Sequence, residues 1–448
     1  MPMHCYPPYG LLSLAAQLRQ GGHRVNVIDA NAFRMDDETI VGEVAAEGPG
    51  LVGIPLMSEL LHHVHGLTGT IKERCPDIRI ILGGPEVNAR PEEVLNDFGS
   101  ADFVMKGESE RALVLLCDRI RDNQSLDDVP GLLYRLNHTV HRCRSVDPME
   151  NLDGLEYPAW DLLAEAYRRK KYYTVMLRRR PIDGIMTSRG CPYHCRFCYS
   201  HNHRYRTRSP ESVVEELIAV RNNGIRFIRF IDDTFTLDRD RAMKIFDRII
   251  EENVPVKLGM KSRADMVDTE LLKKARRAGV IQVYYGMESG VQYMLDAMGK
   301  GTTVDDIVNA CTWTRQAGIR CHASWVVGYP GETPETIAQT TMLIRKLKPT
   351  TVTMNVLHPY PETEVYKEAK ENGTLMGDWS VHDNSIPWIK LPWIDNRDDL
   401  IRCADAANRK IFLRPHYMLM FTKMMLKDSN LTMARYGLQE LNQYRKKR

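Results

Sequence analysis

The chain has 448 residues, too many for one ordinary core, so two or three domains are expected. With 61 lysines and arginines against 58 aspartates and glutamates the formal charge is +3, which makes no electrostatic case for nucleic acid. A content of 43% hydrophobic and 27% charged residues excludes a disordered or fibrous chain, and no stretch approaches the roughly 20 apolar residues of a membrane span. Met1 to Gly10 holds prolines and no apolar core of a signal peptide. Cys5, Cys75, Cys117, Cys143, Cys311, Cys321 and Cys403 are scattered without pairing pattern, the usage expected in a reducing cytoplasm.

Residues 1–150 alternate short apolar strands with amphipathic helices. Leu11–Gln20 reads as a helix stopped by Gly21-Gly22, ahead of a strand at Arg24–Ile28. Further strands are expected at Leu51–Leu56, Ile78–Leu82 and Phe103–Met105, with helices around 59–73, 91–98 and 108–121. This alternation predicts an α/β domain with a doubly wound parallel sheet, which binds ligands at the carboxyl ends of its strands. Those ends carry Asp29-Ala-Asn31, Pro55-Leu-Met57-Ser58, Gly83-Gly84-Pro85-Glu86 and Lys106-Gly107-Glu108. Each alone is a turn; four on one edge point to a site. Leu132–Val146, with an Asn137-His138 turn, reads as a closing hairpin. Residues 151–180 follow as a linker with one helix at Asp161–Arg169.

Residues 181–375 form a second α/β run. Strands are expected at Ile182–Thr187, Phe227–Ile231, Val256–Met260, Val280–Tyr285, Cys321–Val327 and Thr351–Leu357, and helices near 210–224, 238–252, 269–278, 291–298, 304–317 and 333–347. Six repeats are too few for a closed eight-strand barrel and predict a partial (βα)6 barrel of TIM type, with its chemistry at the carboxyl-terminal face. Residues 376–448 read as mainly helical after the Trp- and Pro-containing segment 379–393, with Tyr417–Leu426 a buried helix face. Basic clusters at Arg168–Lys171, Arg178–Arg180 and Arg445–Arg448 read as solvated faces.

The loop after the first strand of this second run reads Ser188-Arg-Gly-Cys191-Pro-Tyr-His-Cys195-Arg-Phe197-Cys198-Tyr199. Three thiolates at this spacing can hold three irons of a 4Fe–4S cluster and leave the fourth without a protein ligand, where most clusters use four cysteines. The pattern, with aromatic Phe197 before the last cysteine, resembles the signature of the radical S-adenosylmethionine (SAM) superfamily, in which SAM chelates the open iron. The alternative is a zinc site completed by His194, His201 or His203.

The following strand ends carry groups that would suit SAM. Asp232 or Asp233 would orient its amino group, although the same residues read as a helix N-cap before Leu237. Lys261 and Arg263 would meet its carboxylate. Glu288, followed by Ser289 and flanked by Gly286 and Gly290, would accept the ribose hydroxyls. The backbone at Val327 and Gly328 would run along the adenine, or else form only a tight turn capped by Thr333-Pro334. Tyr199, His201, His203 and Tyr205 follow the cysteine loop and either line the substrate space or lie on the surface.

A wider resemblance, covering nearly the whole chain, rests on Pro7-Pro-Tyr-Gly-Leu-Leu12, Gly22-His-Arg-Val25, Leu82-Gly-Gly-Pro85, Lys106-Gly-Glu-Ser109, Arg206-Thr-Arg-Ser-Pro210, Asp232–Thr236, Met287-Glu-Ser-Gly290, Gly328-Tyr-Pro-Gly-Glu332 and Phe412-Leu-Arg-Pro415. It is to radical SAM enzymes with an N-terminal cobalamin-binding domain. The resemblance implies that Cys191, Cys195 and Cys198 hold the cluster, that Phe197 packs near the adenine and that Glu288 meets the ribose. It implies cobalamin contacts at Pro55, Met57, Ser58, Gly83, Gly84, Pro85, Lys106, Gly107 and Glu108, although plain packing explains Gly83 and Gly84 equally well. Two features depart from the family: the strand usual before the Pro7-Pro8 loop is missing, and no Asp-x-His-x-x-Gly motif supplies a cobalt ligand.

The implied function is cobalamin-dependent methylation of an unactivated carbon through a 5′-deoxyadenosyl radical. The family's cyclase and diol dehydratase offer the alternative: dehydration, rearrangement or oxidative cyclisation with a degenerate first domain. A non-enzymatic sensor or zinc scaffold would cleave no SAM. The expected partners are a small-molecule substrate and an electron donor such as flavodoxin or ferredoxin, in the cytoplasm, with no nucleic acid and no membrane span.

Overall fold

A computed structural model describes residues 4–137, 139–174, 182–199, 204–412 and 417. They fall into two compact units, one of residues 8–165 and 358–387, the other of residues up to 7, 166–357 and 388 onward. His138, Arg178–Arg180, His201, His203, Leu413–Pro415, most of Tyr417–Leu426 and Arg445–Arg448 lie outside the described residues.

In the first unit, α1 (Tyr9–Gln20) and α2 (Asp37–Glu47) precede a sheet of five strands. Strands β1 (Leu51–Pro55), β2 (Arg79–Gly83) and β3 (Phe103–Met105) are parallel; β4 (Leu132–Leu136) and β5 (Thr139–Arg142) add antiparallel as a hairpin. The crossovers are α3 (Leu61–Arg74), α4 (Pro85–Ala89) with α5 (Pro91–Asp97), and α6 (Glu110–Arg121). Alternate residues divide between two cores. Ile80, Leu82 and Val104 pack with Val41, Val44 and Ile71, while Ile81, Phe103 and Met105 pack with Leu113, Leu116 and Leu14. Helices therefore cover both faces, as the near-continuous apolar strands require.

The expected strand at Arg24–Ile28 does not form. The Asn26 side chain takes the Val27 N–H at 2.8 Å, and Val25 and Val27 bury against Ala15, Ala16 and Ala159 without a ladder. Residues 358–387 also join this unit. Tyr366, Trp379 and Val381 enter the same core as Leu56 and Val64, and the Trp379 ring stacks on Tyr360 with centroids 5.7 Å apart.

The second unit has six parallel strands in sequence order: β6 (Ile182–Ile185), β7 (Phe227–Phe230), β8 (Lys257–Ser262), β9 (Val280–Glu288), β10 (Arg320–Val327) and β11 (Thr351–Val356). Between them run α7 (Pro210–Asn222), α8 (Arg239–Glu251), α9 (Thr269–Arg277), α10 (Gln292–Ala297), α11 (Val304–Gln316) and, before β11, α12 (Pro334–Leu347). Ser209, Asp238, Asp268, Thr303 and Thr333 each cap a helix by accepting a backbone N–H. One face of the sheet is apolar and buried under helices, through Ile228, Leu258, Val283, Ala323, Trp325 and Val352. The other face carries Arg229, Lys261, Tyr284, His322, Ser324 and Thr353, all half-buried. His4–Cys5 pairs antiparallel with Tyr173–Thr174 in this unit. Helix α13 spans Arg397–Phe412. No described helix is long and apolar enough to cross a membrane.

Candidate active site

The three-cysteine loop leaves the carboxyl edge of β6. Its base is tied by a two-residue antiparallel ladder in which Ser188 faces Thr207 and Arg189 faces Arg206. Gly190 turns into the loop at φ +83°, a left-handed conformation that favours glycine. Cys198 N–H donates to the Cys195 carbonyl at 2.9 Å, closing a turn between these two cysteines. The loop then rests on the end of α10, where Arg196 N–H donates to the Met298 carbonyl at 3.0 Å. A Cβ at Gly299 would come within 2.9 Å of the His194 carbonyl, so that close approach requires glycine.

None of the three cysteines forms a disulfide; Cys195 is buried, and Cys191 and Cys198 are half-buried. Arg263 Nη1 lies 4.0 Å from Cys195 Sγ. Its guanidinium covers the Tyr193 ring at 3.7 Å and pairs through both ends with Asp265, at 3.0 Å each. Among the described residues no three His, Cys, Asp or Glu side chains converge on a single-ion site, whereas cysteines around a cuboidal cluster each bind a different iron. Three cysteines outside any disulfide in one pinned loop, with a buried cation beside them, suit an anionic iron–sulfur cluster with one iron left open.

Asp232 and Asp233 divide their work. Asp232 is buried, and one carboxylate oxygen accepts the Thr187 N–H at 2.6 Å and the Ser188 N–H at 3.2 Å. Its other oxygen takes the Thr187 hydroxyl. Both oxygens therefore hold the start of the cysteine loop. Asp233 is exposed at the same strand end. Lys261 and Arg263 project from β8 and just beyond it.

Glu288 ends β9 at a bulge, where the register with β10 shifts. It adopts φ +60°, a conformation costing a non-glycine residue about 1–3 kcal/mol and often found at functional sites. Its carboxylate pairs with Lys300 Nζ at 2.9 Å, and both side chains are buried. Ser289, also buried, accepts the Val291 N–H at 3.3 Å. Phe197 packs edge-on against Tyr329, with ring centroids 6.4 Å apart, and Tyr329 donates its hydroxyl to the Ala297 carbonyl at 2.9 Å.

Past β10, Val327 accepts the Leu357 N–H at 2.8 Å, and the Gly328 N–H donates to the buried Glu332 carboxyl. Burial pushes that carboxyl up to about 7. Its folded value lies above its unfolded value, so the folded chain holds a proton that the unfolded chain releases. Stability from this group is full below the unfolded value near 4.5 and is lost as pH rises through about 7. Glu332→Gln should shrink the stability difference between about pH 5 and about pH 8 by about 3 kcal/mol, as read by urea unfolding of the protein without SAM. An unchanged difference would place this titration elsewhere.

In the first unit the carboxyl ends of β1, β2 and β3 bring the expected residues onto one edge. Pro55 is registered with Gly83, and Leu56 N–H donates to the Gly83 carbonyl at 2.6 Å. Gly84 takes φ +102° beneath the Leu56 carbonyl, and Pro85 opens α4. Ser58 donates to buried Glu86, which also holds Arg90. Gly107 N–H donates to Asn88 at 2.7 Å, and Glu108 accepts the Met149 N–H at 3.2 Å. Lys106 is exposed; so are Met57 and Leu60, 47% and 41%. An apolar edge over a glycine-lined turn suits a broad, partly apolar ring such as cobalamin.

Sequence reasoning missed Lys300, Arg241 and the Arg208–Glu216 pair. Lys300 stands between Gly299 and Gly301, both at positive φ, an unusual setting for a buried cation. Arg241 lies in the first turn of α8, where the helix dipole disfavours a cation; it is buried and donates to the Thr187 carbonyl at 2.6 Å. Arg208 is held by buried Glu216 and donates to the Met186 carbonyl at 3.1 Å.

Residues 185–344 match the radical SAM superfamily and residues 3–116 match the B12-binding domain. An uncharacterized methyltransferase of Pyrococcus horikoshii is 29% identical, over 92% of this chain and 89% of its own length. The anaerobic magnesium-protoporphyrin IX monomethyl ester cyclase of Rubrivivax gelatinosus is 26% identical, over 92% of this chain and 75% of its own. Among solved structures, the radical SAM methyltransferase TsrM of Kitasatospora setae, with cobalamin and a [4Fe-4S] cluster bound, shares the fold at a TM-score of 0.70. That match has 22% identity and covers 82% of this chain and 76% of TsrM.

Proposed function

We propose that this chain, whose residues 185–344 match the radical SAM superfamily and residues 3–116 the B12-binding domain, is a cobalamin-dependent radical SAM enzyme that methylates a carbon of a small biosynthetic substrate. One observation carries the reading: a pinned loop of three cysteines outside any disulfide at the edge of one parallel sheet, in a chain whose other sheet ends in an exposed apolar edge. When bound, the 4Fe–4S cluster and SAM supply a 5′-deoxyadenosyl radical and cobalamin supplies the methyl group.

Cys191, Cys195 and Cys198 would hold three irons, with Arg263 offsetting thiolate charge. Asp233, rather than the fully engaged Asp232, would take the SAM amino group. Glu288 and Ser289 would meet the ribose, Phe197 would bound the adenine, and Val327 and Gly328 would run beside it. Arg263 faces Asp265 and Lys300 faces Glu288; Lys261 or Arg263 would meet the SAM carboxylate. Pro55, Met57, Ser58, Gly83, Gly84, Pro85, Lys106, Gly107 and Glu108 would form the cobalamin edge. We read the six-stranded sheet as a partial (βα)6 barrel of TIM type, the enzyme as cytoplasmic and its reductant as a flavodoxin or ferredoxin. Its near-neutral charge gives no reason to expect a nucleic-acid partner.

A Cβ at Gly286 would lie 2.3 Å from Glu288 Oε1 and 3.2 Å from Lys300 Nζ. Gly286→Ala should therefore displace the Glu288 carboxylate and weaken SAM binding about tenfold, roughly 1.4 kcal/mol, by equilibrium dialysis. Wild-type affinity in that variant would detach Glu288 from SAM.

The similarity to a cyclase favours oxidative cyclisation as the second reading. Anaerobically reconstituted, reduced protein given cobalamin and methyl-labelled SAM decides between them. Label passing to cobalamin and then to an acceptor supports methylation. 5′-Deoxyadenosine without label transfer turns the assignment to cyclisation, rearrangement or dehydration.

A further inference from the structure

Two cations on the face of the six-stranded sheet away from its helices form no ion pair among the described residues. Arg229 on β7 is registered with Gly259 on β8, two residues before Lys261, so Arg229 and Lys261 leave the same face of adjacent strands. Arg229 Nε is buried without a hydrogen-bond partner, and no described carboxylate forms an ion pair with its guanidinium. It lies over the Tyr6 ring at 4.2 Å and 5.8 Å from the Tyr284 ring. Lys261 likewise forms no ion pair among the described residues. Burial and the neighbouring Arg229 both pull its ammonium below its ordinary value.

The sheet neighbours registered beside these cations are neutral hydrogen-bonding partners. Lys261 is registered with Tyr284, and Tyr284 with His322. His322 Nδ1 lies 2.8 Å from the Thr351 hydroxyl, and burial takes the imidazole down to about 4, so it is uncharged near neutrality. Asp233 and Asp232 also act on Lys261 through their charge; Asp232 is engaged with Thr187 and Ser188, and Asp233 is exposed and forms no ion pair with Lys261. Two half-buried cations side by side repel each other and lose hydration that a tyrosine face only partly returns, a cost that an anion bound between them would offset.

We propose that the acceptor substrate is an anion whose carboxylate or phosphate group is held by Arg229 and Lys261, with Tyr284 and His322 as further hydrogen-bonding partners. The proposal rests on the radical SAM reading and names the substrate class for that site. The other source of the same chemistry is the carboxylate of SAM itself.

The test uses the reconstituted, reduced full chain and an aqueous metabolite extract split on a strong anion exchanger. Each fraction is scored for raising 5′-deoxyadenosine formation above the level with SAM alone. The retained fraction should stimulate and the flow-through should not. Arg229→Leu should lower that stimulation at least tenfold, Arg229→Lys should restore part of it, and tritiated SAM should be retained by Arg229→Leu as by wild type. Stimulation by the flow-through alone, or full stimulation of Arg229→Leu, overturns the proposal. Loss of SAM retention in Arg229→Leu also overturns it, by giving the cation to SAM. The methylation reading fails separately, when the retained fraction stimulates cleavage but receives no methyl label. No cleavage of SAM under any condition overturns both.

Discussion

Cys195→Ala is expected to lose the iron–sulfur absorbance of the reconstituted protein and to reduce 5′-deoxyadenosine formation to background. Cys191→Ala and Cys198→Ala should do the same. The three residues sit in one loop tied at its base and resting on the end of α10, with no fourth cysteine of the chain in the loop. Removing one leaves two protein ligands for a cluster that already has an open iron. Cys117 provides the control, since burial raises its thiol to about 11 and keeps it protonated, a poor metal ligand. Cys117→Ala should keep both iron and activity. Iron analysis, visible absorption and product chromatography read the outcome. Any loop variant that kept its iron and its SAM cleavage would remove that cysteine from the cluster. Zinc in place of iron after reconstitution would revive the zinc reading.

Much of this site was legible because its chemistry is written in local sequence. The cysteine spacing is a loop property, and the six strand–helix repeats come out in their expected order because each strand is apolar and each helix amphipathic. Other features were not legible because they depend on distant partners. Arg24–Ile28 has the composition of a strand, but Asn26 takes a neighbouring backbone N–H and the segment packs without a ladder. Tyr366 reads as part of the second run and Trp379 as part of the C-terminal region, yet their rings bury in the core of the first unit. The left-handed conformation of Glu288 follows from a register shift between β9 and β10, which no local signal encodes. Lys300 was invisible for the same reason: its partner lies twelve residues back, across α10.

Asp232 shows most clearly how position redefined a residue. The sequence offers two adjacent aspartates for the SAM amino group, but Asp232 faces inward and fixes the peptide that leads into the cysteine loop. The Thr187 N–H and hydroxyl both go to Asp232, and the Thr187 carbonyl receives Arg241, so this residue is held from both sides. Asp232→Ala leaves the Thr187 and Ser188 N–H groups without acceptors and removes the anion that favours the charged form of buried Arg241. It should cost about 3–5 kcal/mol of stability and much of the iron occupancy.

Burial pushes the Asp232 carboxyl up, against the pull of its hydrogen bonds to Thr187. Its folded value therefore lies above its unfolded one, and its contribution to stability declines as pH rises through that window and does not fall on acidification. The value of Asp232 to the fold is then its acceptor geometry more than its charge. Asp232→Asn preserves an oxygen for both N–H groups and an amide that can donate to the Thr187 hydroxyl, so it should stay within about 1 kcal/mol of wild type and keep its iron. Urea unfolding and iron per chain, measured on both variants, separate these roles. If asparagine proves as damaging as alanine in both measurements, the negative charge itself holds the loop.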